Sequence, residues 1–180
     1  MLTFLAAPDV FPHVLAVLVL LSRLGDIIST RLISPTLRLE ANPLARRLGW
    51  RFAWVTLIVA LVPYYSTALG VMILSASCLV SASNLSRGWI VRAVGEAEYE
   101  ALILRAAQLS RRTAALGFVL AAAGFVLIAG LTLMWFSGSP VVWGFWFGLG
   151  IVVYGGAVAL HGSLYVVRVF RRVRLLAPAL

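Results

Sequence analysis

The chain contains no lysine; its fifteen basic residues are all arginine. Acids are scarce, six in 180 residues, and charged side chains of either sign make up only 12% of the chain. A soluble domain needs far more polar surface than this, so ordinary soluble folds, disordered tails and secreted disulfide scaffolds are excluded. Cysteine is nearly absent as well. The single one, Cys78, lies within an apolar run, which rules out an internal disulfide and a cysteine-rich metal site. There is no His-Glu-x-x-His, no Gly-x-Ser-x-Gly, and no phosphate-binding Gly-rich loop with its lysine. Without these, the commonest zinc, serine-hydrolase and nucleotide signatures are missing. The formal net charge of +9 comes without an aromatic platform for bases, so a nucleic-acid surface is not indicated.

What the chain does have is apolar length. Hydrophobic residues make up 62% of it, and its mean hydropathy is +1.02. A membrane-spanning helix needs about 20 mainly apolar residues to cross roughly 30 Å of hydrocarbon. Four stretches qualify: Phe11–Ile33, Phe52–Ala82, Thr113–Phe136 and Val141–Phe170. The expected fold is therefore all-α, a four-helix transmembrane bundle forming one integral membrane domain over residues 1–180. Pro63 lies inside the long second stretch and is expected to kink it. The tail Met1–Pro12 has no basic residue, and the first apolar run carries Arg23 and Asp26, so a cleavable signal peptide is not expected.

Arginine positions predict the orientation, because basic loops stay on the cytoplasmic side. The second loop and C-terminal tail carry Arg87, Arg92, Arg105, Arg111, Arg112, Arg168, Arg171, Arg172 and Arg174. The first loop carries Arg38, Arg46, Arg47 and Arg51, and the Ser137–Pro140 turn carries none. Both termini are thus expected in the cytoplasm, with the protein in the inner membrane. Gly88–Gln108 reads as an amphipathic connector. Ile90, Val94, Ala97, Ala101 and Leu104 follow helical spacing, with charged residues elsewhere around the helix.

The strongest functional candidates lie in the first span and its loop. At 100° per residue, Arg23, Asp26 and Thr30 share an arc of roughly 60°. A lone charge near mid-membrane costs on the order of 3 kcal/mol on insertion scales, and an i,i+3 pair shares that cost. The cluster reads either as a polar-ligand or ion site, or as a self-neutralised pair that fixes packing. Glu40-Ala41-Asn42-Pro43 follows, with Asn42 as N-cap and Pro43 at the first helical position. Glu40 is expected to fold back toward Thr30 or Asp26, or to pair with Arg38, Arg46 or Arg47. Tyr64 and Tyr65 of the second span are expected at nearly the depth of Asp26, where their hydroxyls either satisfy each other or the kinked backbone, or line a shared pocket with Asp26 and Thr30.

Asp26-x-x-x-Thr30 followed by Glu40-x-Asn42-Pro43-Leu44 resembles the signature of a small uncharacterised family of bacterial and archaeal integral membrane proteins, a domain of unknown function. The resemblance covers roughly Leu15 to Ala82. It implies that Asp26, Thr30, Glu40, Asn42 and Pro43 form one unit, and it implies no reaction.

The fourth span has two distinct faces. Gly144, Gly148, Gly155, Ala159 and Gly162 fall in one arc, and such small residues let helices approach closely in lipid. Gly117, Ala121 and Gly124 form a shorter small-residue face on the third span. The expected result is a tight antiparallel hairpin, with the same faces also available to a partner subunit. Another face carries Trp143, Phe147, Tyr154, His161 and Tyr165. His161 reads mainly as a packing residue, with ligation of a porphyrin-type pigment as the minor alternative. In a four-span arrangement His161 and Asp26 differ in depth by something like 15 Å, so no dyad between them is expected.

The leading reading is a non-enzymatic accessory or interaction subunit of a membrane assembly, a homo-oligomer or one built with other membrane subunits. A small homodimeric transporter using Asp26 is the second reading, and an intramembrane enzyme using Asp26 and Glu40 the third. No metal and no resident cofactor are expected.

Overall fold

The computed structural model describes residues 10–176, so most of the tail considered above for a signal peptide lies outside it. In chain order the helices are α1 (Val10–Ile33), α2 (Pro43–Leu48), α3 (Trp50–Val55), a 3₁₀ segment (Thr56–Leu61), α4 (Val62–Tyr65), α5 (Thr67–Val94), α6 (Glu96–Leu109), α7 (Arg112–Ser137) and α8 (Trp143–Leu176). No strand occurs among the described residues. Four of these helices, α1, α5, α7 and α8, are long and apolar enough to cross a membrane.

The second stretch differs from its expected form. It is not one helix kinked at Pro63. The chain breaks at Ser66, whose backbone is extended (φ −152°, ψ 109°) and whose Oγ caps α5 by accepting from the Leu69 N–H at 3.3 Å. Pro63 is buried near the start of α4, where a missing N–H costs nothing. Downstream, α5 continues to Val94 through Ser83–Arg87, a polar run that looks like a loop. It stays helical because Asn84 finds partners on α1. The connector is consequently α6, Glu96–Leu109, and not 88–108. Gly95, at φ 86°, makes the turn between the two helices, a conformation that costs glycine little.

Helix directions settle the topology. Leu15 meets Gly70, Gly25 faces Ser81, and Ile33 packs by Gly88, so α1 and α5 run side by side in the same direction. Two parallel neighbours require a return, and Trp50–Tyr65 provides it. Arg31 sits over the Trp50 ring at 5.7 Å, Arg23 bonds Thr56, and His13 bonds Tyr64. From His13 to Arg31, α1 rises about 27 Å at 1.5 Å per residue. The return covers about 24 Å from Trp50 to Tyr64, about 3 Å more than an all-α segment would, because its six 3₁₀ residues rise about 2 Å each; side-chain reach covers the rest.

At its start α8 stacks Trp143 on Phe11, with ring centroids 5.0 Å apart. Further along, Ser75 donates to the Phe147 carbonyl at 3.2 Å, and Arg168 reaches the Glu40 and Ala41 carbonyls at 2.9 and 3.0 Å. Helix α8 is therefore parallel to α1 and α5, and only α7 among the long helices is antiparallel. The chain traverses the bundle five times, four times in long helices and once in the short return. Val10 and Leu176 consequently lie at opposite ends, whereas four passes would have put them at the same end. The first loop shares its end of the bundle with the C-terminal arginines. Every arginine except Arg23 falls there.

The α7–α8 hairpin is tight. A Cβ added to Gly130 would meet the Gly148 carbonyl at 2.8 Å, and one on Gly148 would meet the Gly130 carbonyl at 2.8 Å. Gly144 faces Ser137, Gly155 faces Leu127 and Gly162 faces Val119; Ala159 lies half-buried on the same stretch. The matching face of α7 is not the expected one. Gly117 and Gly124 have nothing within 4 Å of an added Cβ, and Ala121 is exposed. A groove of glycines on α8 accepts larger knobs, and α7 supplies Val119, Leu127 and Met134.

Candidate functional site

The polar centre lies between α1, the return segment and α5. Arg23 donates through Nη1 to Asp26 Oδ2 at 2.6 Å and through Nη2 to Thr56 Oγ1 at 2.7 Å. Thr30 Oγ1 donates to Asp26 Oδ1 at 3.5 Å and accepts from Asn84 Nδ2 at 3.0 Å. Ser29 joins the same network, donating to the Asp26 carbonyl at 3.0 Å and accepting from Asn84 at 3.3 Å. The Arg23 and Asp26 side chains are 19% and 14% exposed, and Arg23 Nε is buried without a partner. The charges cancel within one helix, and the Thr56 hydroxyl from the return and the Asn84 amide from α5 join the network from two further segments. Such a network holds three segments in one register.

Tyr64 and Tyr65 are not part of it. The return runs antiparallel to α1, so the residue at the depth of Arg23 is Thr56. Tyr64 is carried to the far end, where it bonds His13 at 3.0 Å. Tyr65 is 91% exposed. Thr56 and Asn84 are the members of the polar centre that sequence reading missed. Ser77, Ser81 and Asn84 recur at i, i+4 and i+7, a polar helical face that was legible. Nothing local marks Thr56, apart from its being the first hydroxyl in an otherwise apolar segment.

Glu40 and Asn42 form a second cluster. Asn42 caps α2, its Oδ1 accepting from the N–H groups of Leu44 at 2.9 Å and Ala45 at 3.4 Å. Glu40 Oε1 accepts from the Asn42 N–H at 2.7 Å. It makes no ion pair with Arg38, Arg46 or Arg47; instead Arg168 grips the backbone carbonyls of Glu40 and Ala41. Burial raises the Glu40 carboxyl above its ordinary value. The Asn42 N–H opposes this, the Asp26 charge adds to it, and His161 and Arg168 oppose it, leaving it raised.

Asp26 and His161 both act electrostatically on Glu40. The direction of α8 overturns the 15 Å difference in depth expected for Asp26 and His161. With α1 and α8 parallel, Asp26 and His161 lie about 22 and 27 Å along their helices from the Phe11–Trp143 ring pair. His161 Nδ1 is buried and has no hydrogen-bond partner. These three residues do not form a metal-binding set, and no group of three or more His, Cys, Asp or Glu among the described residues does.

The first loop is anchored by an acid of α6. Glu96, at the start of α6, accepts from Ser34 Oγ at 2.5 Å, Thr36 Oγ1 at 2.8 Å, and the N–H groups of Thr36 and Arg38 at 3.2 and 3.1 Å. Partial burial raises the Glu96 carboxyl, but these four donors outweigh it and hold the group below its ordinary value.

Comparison of the chain with protein-family models, curated proteins and solved structures finds no match.

Proposed function

We propose that this protein is a non-enzymatic integral membrane protein that acts as an interaction or accessory subunit of a membrane assembly, homo-oligomeric in its simplest form. The observation that carries this reading is the open small-residue face of α7. Gly117 and Gly124 have no neighbour within 4 Å of an added Cβ, and Phe118 and Phe125 flank them at 80% and 75% exposure. Small residues on a membrane helix permit close approach of a second helix, which lipid alone does not require. The polar centre fits the same reading, because Arg23 and Asp26 neutralise each other inside the chain. The arginine end then faces the cytoplasm, in accord with the positive-inside bias, which puts the N-terminal end of α1 outside and the C-terminal end of α8 inside. In this orientation α6 lies on the cytoplasmic side.

The test is the size of the complex extracted in mild detergent. Gly117→Leu with Gly124→Leu should shift it to a smaller species, while Asp26→Asn leaves assembly intact. A wild-type monomer at membrane-like density would overturn the proposal.

One observation favours a second reading. The buried, unpartnered His161 Nδ1 within α8 is the kind of intramembrane ionisable group that carries protons or polar solutes. On this reading the protein is a small transporter, and proteoliposome flux should fall in Glu40→Gln, in His161→Ala and in Asp26→Asn.

A further inference from the structure

At the arginine end, a cleft of about 250 Å³ opens between α6, α8 and the segment joining α1 to α3. Arg38, Arg46, Arg168 and Arg172 line it, with Glu100 as the one carboxylate among the lining residues. Two of the four guanidiniums are fixed by the fold. Arg168 is held by the Glu40 and Ala41 carbonyls and lies over the Tyr165 ring at 5.7 Å. Arg172 pairs with Glu100. The side chains of Arg38 and Arg46 have no hydrogen-bond or ion-pair partner among the described residues. Four positive charges thus converge on one acid and repel each other, and an anion with several acceptor oxygens relieves that repulsion. Guanidinium groups match phosphate oxygens in planar, often paired hydrogen bonds.

The rest of the lining is apolar. Ile103 and Leu104 from α6 and Val169 from α8 complete the cleft. A free inorganic ion gains nothing from such surface, whereas a phosphate ester carrying hydrocarbon does. The cleft also lies where long apolar helices give way to arginine-rich ends, at the level of lipid headgroups. We infer that this cleft binds the phosphate of an anionic glycerophospholipid, with Arg38 and Arg46 closing on the phosphate and Arg168 and Arg172 forming its fixed wall.

The test uses the purified full-length chain, delipidated in neutral detergent and titrated in native mass spectrometry. Phosphatidylglycerol, phosphatidylcholine and inorganic phosphate are the three probes. Phosphatidylglycerol should bind about tenfold or more tightly than phosphatidylcholine, as expected for one good charge-assisted contact. Millimolar inorganic phosphate should not displace it. Arg38→Gln with Arg46→Gln should remove most of that preference. Arg111→Gln with Arg112→Gln, which takes the same charge from the same end but outside the cleft, should retain it. Should the first pair fail to fold, Arg38→Gln alone carries the same comparison. Equal binding of the two lipids, full competition by inorganic phosphate, or equal loss in both arginine pairs would each overturn the assignment.

Discussion

Arg23 Nη2 donates to Thr56 Oγ1 across 2.7 Å, joining residues 33 positions apart. The bond ties the middle of α1 to the middle of the return, and Asp26 neutralises the same guanidinium at 2.6 Å. Loss of either partner should therefore be felt in the register of two segments at once.

Asp26→Ala should cost about 3 kcal/mol or more, because a buried guanidinium is left without its counter-charge. Replacing the pair together, Arg23→Met with Asp26→Leu, should cost less than Asp26→Ala alone. Reversible unfolding in detergent measures both. A double variant worse than the single one would mean that the pair contributes net stability.

Thr56→Val keeps the shape and removes the acceptor. It should cost about 1–2 kcal/mol, the usual penalty for stranding a buried donor. In a double-mutant cycle with Arg23→Met the two effects should be strongly non-additive; simple additivity would break the link.

The two loop glutamates should respond to pH with opposite sign. The Glu96 pKa is lowered from 4.5 in the folded chain, so its contribution is present above the unfolded value and lost as pH falls through the folded one. Glu96→Gln should therefore destabilise at pH 7, with the difference shrinking in acid. The Glu40 pKa is raised from 4.5, so its contribution is present below the unfolded value and lost as pH rises through the folded one. Glu40→Gln should stabilise at pH 7, again with the difference shrinking in acid. Melting curves between pH 3 and 8, on the order of the carboxylate range, separate the two.

Topology can be read by cysteine accessibility in a Cys78→Ser background. Cysteines at Val10 and Ser139 should react from outside the cell, and one at Leu175 only after the membrane is opened. Reaction of the Val10 and Leu175 positions from the same side would remove the fifth crossing.

Hairpin packing gives a contrast within one helix. Gly148→Val adds bulk against the Gly130 carbonyl and Met134 and should cost about 1–3 kcal/mol or more. Gly156→Ala meets nothing within 4 Å and should be neutral or stabilising by up to about 1 kcal/mol.

Features governed by a few neighbouring residues were legible in the sequence. Asn42-Pro43 announces the start of α2, and the spacing of Gly144, Gly148, Gly155 and Gly162 selects the face turned to α7. The Arg23–Asp26 pair follows from i,i+3 geometry alone. Hydropathy does not distinguish burial in lipid from burial against protein. That is why Ser83–Arg87 resembled a loop although Asn84 is satisfied by Ser29 and Thr30, and why Trp50–Tyr65 merged with the helix after it. Once the return is counted with α5, every later depth is inverted. Asp26 and His161 then appear far apart, and Tyr64 seems to stand where Thr56 does.

The return segment also limits the bilayer that this protein can inhabit. Helix α8, with 34 residues, is about 51 Å long at 1.5 Å per residue and can meet a thicker or thinner membrane by tilting or projecting further. The return has no such slack. It nears the reach of α1 only by being stretched into a 3₁₀ coil, and it is stapled at Arg31, Arg23 and His13 along its whole length. Hydrophobic mismatch will therefore be felt first at this pass, and a modest increase in acyl-chain length should strain the Arg23–Thr56 contact before it disturbs any of the long helices.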